Sequence, residues 1–222
     1  MFKKILIVEA LDSISLGLST SLASHFTAEI AAAKSSEEAI LKIKRALQVQ
    51  KYFNLIICDI AFIDGNDDGQ HKSGEEFISI IREISPEIKI MVYSAESKPF
   101  RIYTLFHKYK INAFIAKGRE SIHEIIEATK QMFNSEVIYI SKKYASFIEK
   151  KIQDEIEEYD VKLLKYLSLG KTQVEISTLF KMEGFQNSST SSIEKRINRL
   201  RILLKATNTI NLIAIAKDLG II

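Results

Sequence analysis

Cysteine occurs once in the 222 residues, proline twice and histidine four times. A lone cysteine excludes an intrachain disulfide. Its place in the apolar run Phe53 to Cys58 favours an inert, buried thiol over a reactive one. His25, His71, His107 and His123 are scattered without the paired spacing of zinc ligands, so no zinc site is expected. Long apolar runs are missing too. The N-terminal stretch MFKKILIVEA holds only Ile5 to Val8, far short of a signal-peptide core or a membrane span, so a cytoplasmic chain with no membrane partner is expected. Low-complexity tracts and internal repeats are absent. With 46% hydrophobic and 27% charged residues, the chain has the material for folded cores rather than extensive disorder.

The length exceeds the commonest single-domain size, which suggests two modules with separate cores. Charge divides accordingly. Residues 160–222 carry 10 Lys or Arg against 5 Asp or Glu, net +5, whereas residues 1–159 carry 21 against 23, net −2. The basic C-terminal end is the candidate polyanion binder.

Through the first 133 residues, short apolar runs alternate with helical periodicity. Ile5 to Val8, Ala28 to Ala32, Leu55 to Asp59, Ile88 to Tyr93 and Ala113 to Ala116 read as strands. Near-continuous apolar strands separated by helices predict a doubly wound α/β domain, its five-stranded parallel sheet covered on both faces. Ile14, Leu18 and Leu22 keep an i, i+4 stripe in the first helix. Ile122, Ile125, Ile126 and Thr129 mark the side expected to face inward in a helix over 120–133. Residues 134–155 lose that stripe, become highly charged, and read as a linker.

Ligands in such sheets collect at the carboxyl ends of the strands, which here carry Glu9, Asp59, Ser94 and Lys117. The stretches ILIVEA, IICDI, IMVYSAES and AFIAKG place an acid, a second acid, a hydroxyl and a cation at those ends in that order. In this, residues 1–133 resemble a two-component receiver domain of flavodoxin-like fold. The resemblance implies that Asp59 is the phosphoacceptor, that Ser94, Phe114 and Lys117 form the receiver switch, and that Mg²⁺ is held by Glu9, Asp59 and the carbonyl of Ala61. The chemistry is sound, since a carboxylate can attack a phosphoryl group in line when a divalent cation and a fixed ammonium neutralise the transferring oxygens. The plainer alternative is a structural ion pair between Lys117 and Asp59.

The sequence departs from the receiver pattern in two places. Ala10 follows Glu9 where receivers usually carry a second acid, which implies weaker Mg²⁺ binding. Asp12 is expected to cap the first helix. The loop after Asp59 is longer than usual and has Ile63 where a proline is customary. Within it, Asp64, Asn66, Asp68, Gly69 and Glu75 match the spacing of a calcium-binding loop. Lys72 and His71 at positions that disfavour calcium, and a strand where a helix should precede, make a solvated Asp- and Gly-rich loop the better reading.

Beyond residue 156, Val161, Leu164 and Leu167 mark a helix closed by Gly170, a candidate C-cap. Thr172 with Glu175 forms a capping box for the next helix. A third helix from Thr190 to Lys205 has Ile193, Ile197, Leu200 and Leu204 on its core face and Ser192, Lys195, Arg196 and Arg199 on the other. A fourth runs from Asn208 to Leu219. Residues 156–222 resemble the all-α four-helix helix-turn-helix domain of NarL/LuxR/FixJ-class response regulators, although the turn KMEGFQNSST before the third helix is longer than in that class. The resemblance implies that Ser192, Lys195, Arg196 and Arg199, with Lys171 and Thr172, contact double-stranded DNA, and that Ile210, Ile213 and Ala214 form a homodimer surface.

The expected protein is a response regulator transcription factor, phosphorylated on Asp59 by a sensor histidine kinase. Ala10 supports an alternative, a pseudo-receiver that binds DNA without phosphotransfer. A third, flavodoxin-like phosphate-ester hydrolase would show steady phosphate release, but it leaves the basic C-terminal module without a purpose.

Overall fold

A computed structural model describes residues 1–60, 73–135, 137–148 and 155–222, with the side chains of 146–148 set aside. Two compact units emerge: Met1–Ser97 with Thr104–Ala145, and Ser146–Ile222 with Lys98–Tyr103.

In the first unit the strands are β1 (Lys4–Val8), β2 (Glu29–Ala33), β3 (Leu55–Cys58), β4 (Lys89–Ser94), β5 (Ala113–Ala116) and β6 (Tyr139–Ile140). They form one parallel sheet in the order β2-β1-β3-β4-β5-β6. Its helices are α1 (Asp12–His25), α2 (Ser36–Gln48), α3 (Gly74–Ile84) and α5 (Ser121–Asn134), together with α4 (Pro99–His107) from Thr104 onward and α6 (Lys142–Ile148) as far as Ala145. Every residue of β3 is buried, which is why this strand reads as an unbroken apolar run. Ile5, Ile7, Leu55, Ile57 and Met91 pack with Leu18 and Leu22 of α1 and Ile125 and Ala128 of α5 in one core cluster.

The sequence reading needs three corrections here. The sheet has six strands rather than five, because Tyr139–Ile140, placed in a linker by the sequence, pairs with Ala113 and Phe114 of β5. The compact unit therefore runs on to Ala145. Ser141 secures this extension: its hydroxyl accepts from the Ala116 N–H at 3.0 Å and donates to Glu124. Ile122 is 41% exposed, and the inward face of α5 is carried instead by Ile125, Ala128, Thr129 and Met132. Asp12 does not cap α1, whose cap position is Leu11; the Asp12 carboxylate pairs with Lys34 at 2.7 Å on the surface.

Helix α3 starts against the end of β3. A Cβ added at Gly74 would stand 2.6 Å from the Cβ of buried Ile60, so the helix can approach there only because glycine carries none. Ser73 caps this helix, its hydroxyl accepting from the Glu76 N–H at 3.2 Å.

The second unit contains α7 (Glu158–Ser168), α8 (Gln173–Met182), α9 (Thr190–Leu203) and α10 (Thr209–Leu219). Leu163, Leu164, Ile176, Phe180, Ile193, Ile197, Leu200, Leu204, Leu212 and Ala216 are buried in its core. Gly170 adopts φ +76° just past the end of α7, the left-handed conformation in which glycine closes a helix. The capping box is formed as expected, with the Glu175 N–H donating to the Thr172 hydroxyl at 3.3 Å and the Thr172 N–H to Glu175 at 2.8 Å.

Candidate functional site

At the carboxyl edge of the sheet, Glu9 and Asp59 each lie one residue beyond a strand, and ladder hydrogen bonds still hold them. The Glu9 N–H donates to the Ala33 carbonyl at 3.0 Å and the Asp59 N–H to the Val8 carbonyl at 3.1 Å. Both are buried, with 3% and 7% exposure. Between them stands the ammonium of Lys117, its Nζ 2.7 Å from Glu9 Oε2 and 2.7 Å from Asp59 Oδ2. Two carboxylates buried side by side repel, and the shared cation is what makes the arrangement tenable. Burial alone would lower the Lys117 pKa, but hydrogen bonds to Asp59 and then Glu9 outweigh it and leave the value raised. The ammonium also lies 5.2 Å from the centre of the Tyr93 ring. The other Glu9 oxygen, Oε1, accepts from the Leu11 N–H at 3.1 Å and so orients the carboxylate.

Ser94 ends β4. Register pairs Val92 with Cys58, which brings Ser94 to the same sheet edge as Asp59, and the Ser94 carbonyl accepts from the Lys117 N–H at 2.9 Å. Its hydroxyl is buried and accepts from the Glu96 N–H at 3.3 Å. Phe114 is fully buried in β5 and meets Tyr144 of α6 edge to face, 5.7 Å between centroids at 88°. Tyr144 in turn donates to the Glu96 carbonyl at 3.4 Å. Sequence reasoning misses this partner, because Tyr144 lies in a charged stretch without apolar periodicity that reads as a linker.

Glu9, Asp59, Ser94 and Lys117 are thus brought to one edge. Ala61 and the Asp64, Asn66, Asp68 and Gly69 positions of the calcium-like spacing lie outside the described residues, while Glu75 is in the first turn of α3. No cluster of three or more acidic, His or Cys side chains able to hold a metal occurs among the described residues. Cys58 is buried beside the site; burial first, and then the Asp59 charge, push its thiol far above the ordinary range, as expected for an inert cysteine. A recess bordered by Phe2, Lys4, Tyr52, Phe53, Ile88 and Phe133 lies at the opposite ends of the strands, away from Asp59.

In the second unit, α9 begins at Ser189, whose hydroxyl accepts from the Ser192 N–H at 3.2 Å. With Ile193, Ile197 and Leu200 buried, Ser191, Lys195 and Ile202 face most nearly away from the core, with Asn198 and Arg199 exposed on either side of them. Of the expected set, Lys195 lies on this outward stripe, and Ser192, Arg199 and Arg196 lie progressively toward one flank. Arg196 departs furthest from expectation. Its Nε and Nη2 clamp the carboxylate of fully buried Asp160, the second bond at 2.5 Å, and Nη2 lies 3.4 Å from Glu157. That hydrogen bonding to Asp160 raises its pKa further. Arg196 is committed to holding α9 on α7, which makes it a positioning residue. Arg199 lies 3.5 Å from Glu155, Lys171 3.4 Å from Glu175, and the Thr172 hydroxyl is taken up by the capping box.

The long turn before α9 is ordered by aromatic packing. Phe185 sits 5.0 Å from Phe180 and 5.7 Å from Tyr159, with the Lys162 ammonium 4.8 Å from its ring, and Tyr159 donates to the Asn187 carbonyl at 3.2 Å. Ile210 and Ala214 of α10 are exposed and Ile213 is half-buried, which leaves that face open.

No protein-family model matches the sequence, and no curated protein matches it either. Solved structures do resemble it. A structure of two RcsB dimers bound to two parallel DNAs superposes with a TM-score of 0.67 at 14% identity, covering 98% of this chain and 99% of that one. RcsB from Salmonella enterica serovar Typhimurium, bound to promoter rprA in the presence of the phosphomimetic BeF3⁻, gives 0.62 at 15%, with 97% and 98% covered. The isolated REC domain of that protein gives 0.54 at 14%, covering 67% of this chain and all of that one. The fold is that of the RcsB response regulator. Its receiver and helix-turn-helix units both have counterparts here, at a level of identity that speaks for the fold alone. Among the described residues, no helix is long and apolar enough to cross a membrane.

Proposed function

We propose that the protein is a response regulator transcription factor, in which phosphorylation of Asp59 controls binding of α9 to promoter DNA. The observation that carries this reading is the Lys117 ammonium, 2.7 Å from both Asp59 and Glu9 at the carboxyl edge of a parallel sheet. Asp59 attacks the phosphorus of the donor in line, forming an acyl phosphate as the bond from phosphorus to the leaving group breaks. Lys117 then exchanges one carboxylate oxygen for a phosphoryl oxygen, and the Ser94 hydroxyl, carried at the same sheet edge, turns toward the new group. A phosphohistidine of a sensor kinase is the natural donor.

The donor set suits Mg²⁺, a hard cation that takes one or two carboxylates and keeps most of its water. Glu9 and Asp59 would hold it, and it would neutralise charge on the transferring oxygens. Ala10 removes one acid from that set, and weak binding follows. Phosphorylation then acts as a population shift between arrangements of differing DNA affinity. The open Ile210, Ile213 and Ala214 face of α10 supports a homodimer on paired half-sites.

A second reading keeps DNA binding without phosphotransfer. It is favoured by the same lysine, which neutralises both carboxylates with no metal required, and by Ala10. Incubation with Mg²⁺ and a small acyl phosphate, followed by intact-mass measurement, separates the two. A phosphoryl adduct on the wild type that is absent from Asp59→Asn supports phosphotransfer. No adduct on either leaves the pseudo-receiver.

A further inference from the structure

The crest of α9 carries an unusual set of groups for a helix meant to bind a polyanion. Ser191, Lys195, Asn198 and Ile202 follow one another at i, i+4, i+7 and i+11, on the side away from the buried Ile193, Ile197 and Leu200. Lys195 is the one cation on that line. Two neighbouring arginines are directed elsewhere: Arg196 clamps Asp160, and Arg201 turns back to donate to the Thr207 carbonyl at 2.6 Å, while Arg199, 3.5 Å from Glu155, stays exposed beside the stripe. Arg201 also reaches Asn198 Oδ1 at 3.4 Å, so the orientation of that amide is biased before any ligand arrives. Ile202, 80% exposed, is a large apolar side chain left in water on a helix whose core face is already filled.

We infer that α9 reads a half-site containing an A·T pair, with Asn198 on the adenine edge and Ile202 against a thymine methyl group. The inference rests on the DNA-binding reading above and adds to it the class of base recognised. In the major groove, adenine offers an acceptor, N7, beside a donor, N6–H₂, and a carboxamide matches that pair with its own donor and acceptor. Guanine offers two acceptors and is matched by an arginine or lysine; Lys195 and Arg199, both exposed, can serve a neighbouring G·C pair or the phosphates, whereas a carboxamide such as that of Asn198 matches adenine. Thymine alone carries a C5-methyl group for an apolar side chain to cover. Residues four apart on a helix stand about 6 Å from each other, a span suited to the same or the neighbouring base pair. Lys195 contributes attraction common to all sequences.

The test uses the full chain, with and without acyl-phosphate treatment, to select bound duplexes from a random pool, followed by fluorescence-anisotropy titrations on the enriched sequence. Enriched half-sites are expected to share an A·T pair at a fixed position. Replacing its thymine by deoxyuridine removes only the methyl group and should weaken binding about fourfold. Replacing the adenine by 7-deazaadenine should weaken it about tenfold. The exposed-site variant Ile202→Ala should lose the first effect and keep the second, and Asn198→Ala the reverse. Half-sites of G·C pairs only, or a wild-type affinity unmoved by either analogue, would overturn the base assignment while leaving DNA binding intact. A chain that enriches no sequence and binds no duplex would instead overturn the DNA-binding reading, and this inference with it.

Discussion

Asp160, buried at the start of α7, grips the guanidinium of Arg196 on α9, 36 residues further along the chain, with both of its carboxylate oxygens. The same carboxylate accepts from the Glu157 N–H at 2.9 Å, so one side chain caps a helix and anchors the candidate reading helix. Replacing Asp160 with Ala leaves a 17%-exposed cation without its partner, and the C-terminal unit should lose about 3 kcal/mol in urea unfolding. An Asp160→Leu, Arg196→Met double variant removes both charges and should recover most of that loss.

Lys117 ties stability to pH. Its pKa lies above the ordinary lysine value of 10.5, so its ion pairs are fully present below that pH and are lost as the pH rises through the higher folded value. The thermal stability of the wild type should fall above pH 10.5, relative to Lys117→Met. The variant leaves Glu9 and Asp59 facing each other without a counter-ion and should be roughly 2 kcal/mol less stable near neutrality. It should form no acyl-phosphate adduct.

Ala10 follows Glu9 where the receiver resemblance calls for a second acid. Ala10→Asp is expected to tighten Mg²⁺ binding, read by isothermal titration calorimetry, and to speed adduct formation at limiting Mg²⁺. An unchanged rate at every Mg²⁺ concentration would argue that the metal does not limit the reaction.

Gly74 admits α3 to the end of β3. Gly74→Ala drives a methyl group into the Cβ and backbone of Ile60, next to Asp59, and should cost about 2 kcal/mol in the unfolding of the N-terminal unit. Adduct formation should slow as well, since Ile60 must shift to make room.

The sequence disclosed the sheet well because a parallel strand covered on both faces has to be apolar throughout, as Leu55 to Cys58 are. The four site residues followed from the strand ends, and the Thr172 capping box from its local spacing. What escaped was non-local. Two residues, Tyr139 and Ile140, carry no periodicity, and only their hydrogen bonds to β5 make them a strand. Arg196 looked like a groove-facing cation because nothing near it in the chain announces Asp160.

Phe185 gives the long turn before α9 a further significance. Wedged among Phe180, Tyr159 and the Lys162 ammonium, it turns extra backbone into a packed layer. The tilt between α8 and α9 is then governed by interlocking side chains, Ile176 and Phe180 against Ile193 and Ile197, instead of by how many residues join them. Insertions at this point can lengthen the connection without loosening the reader.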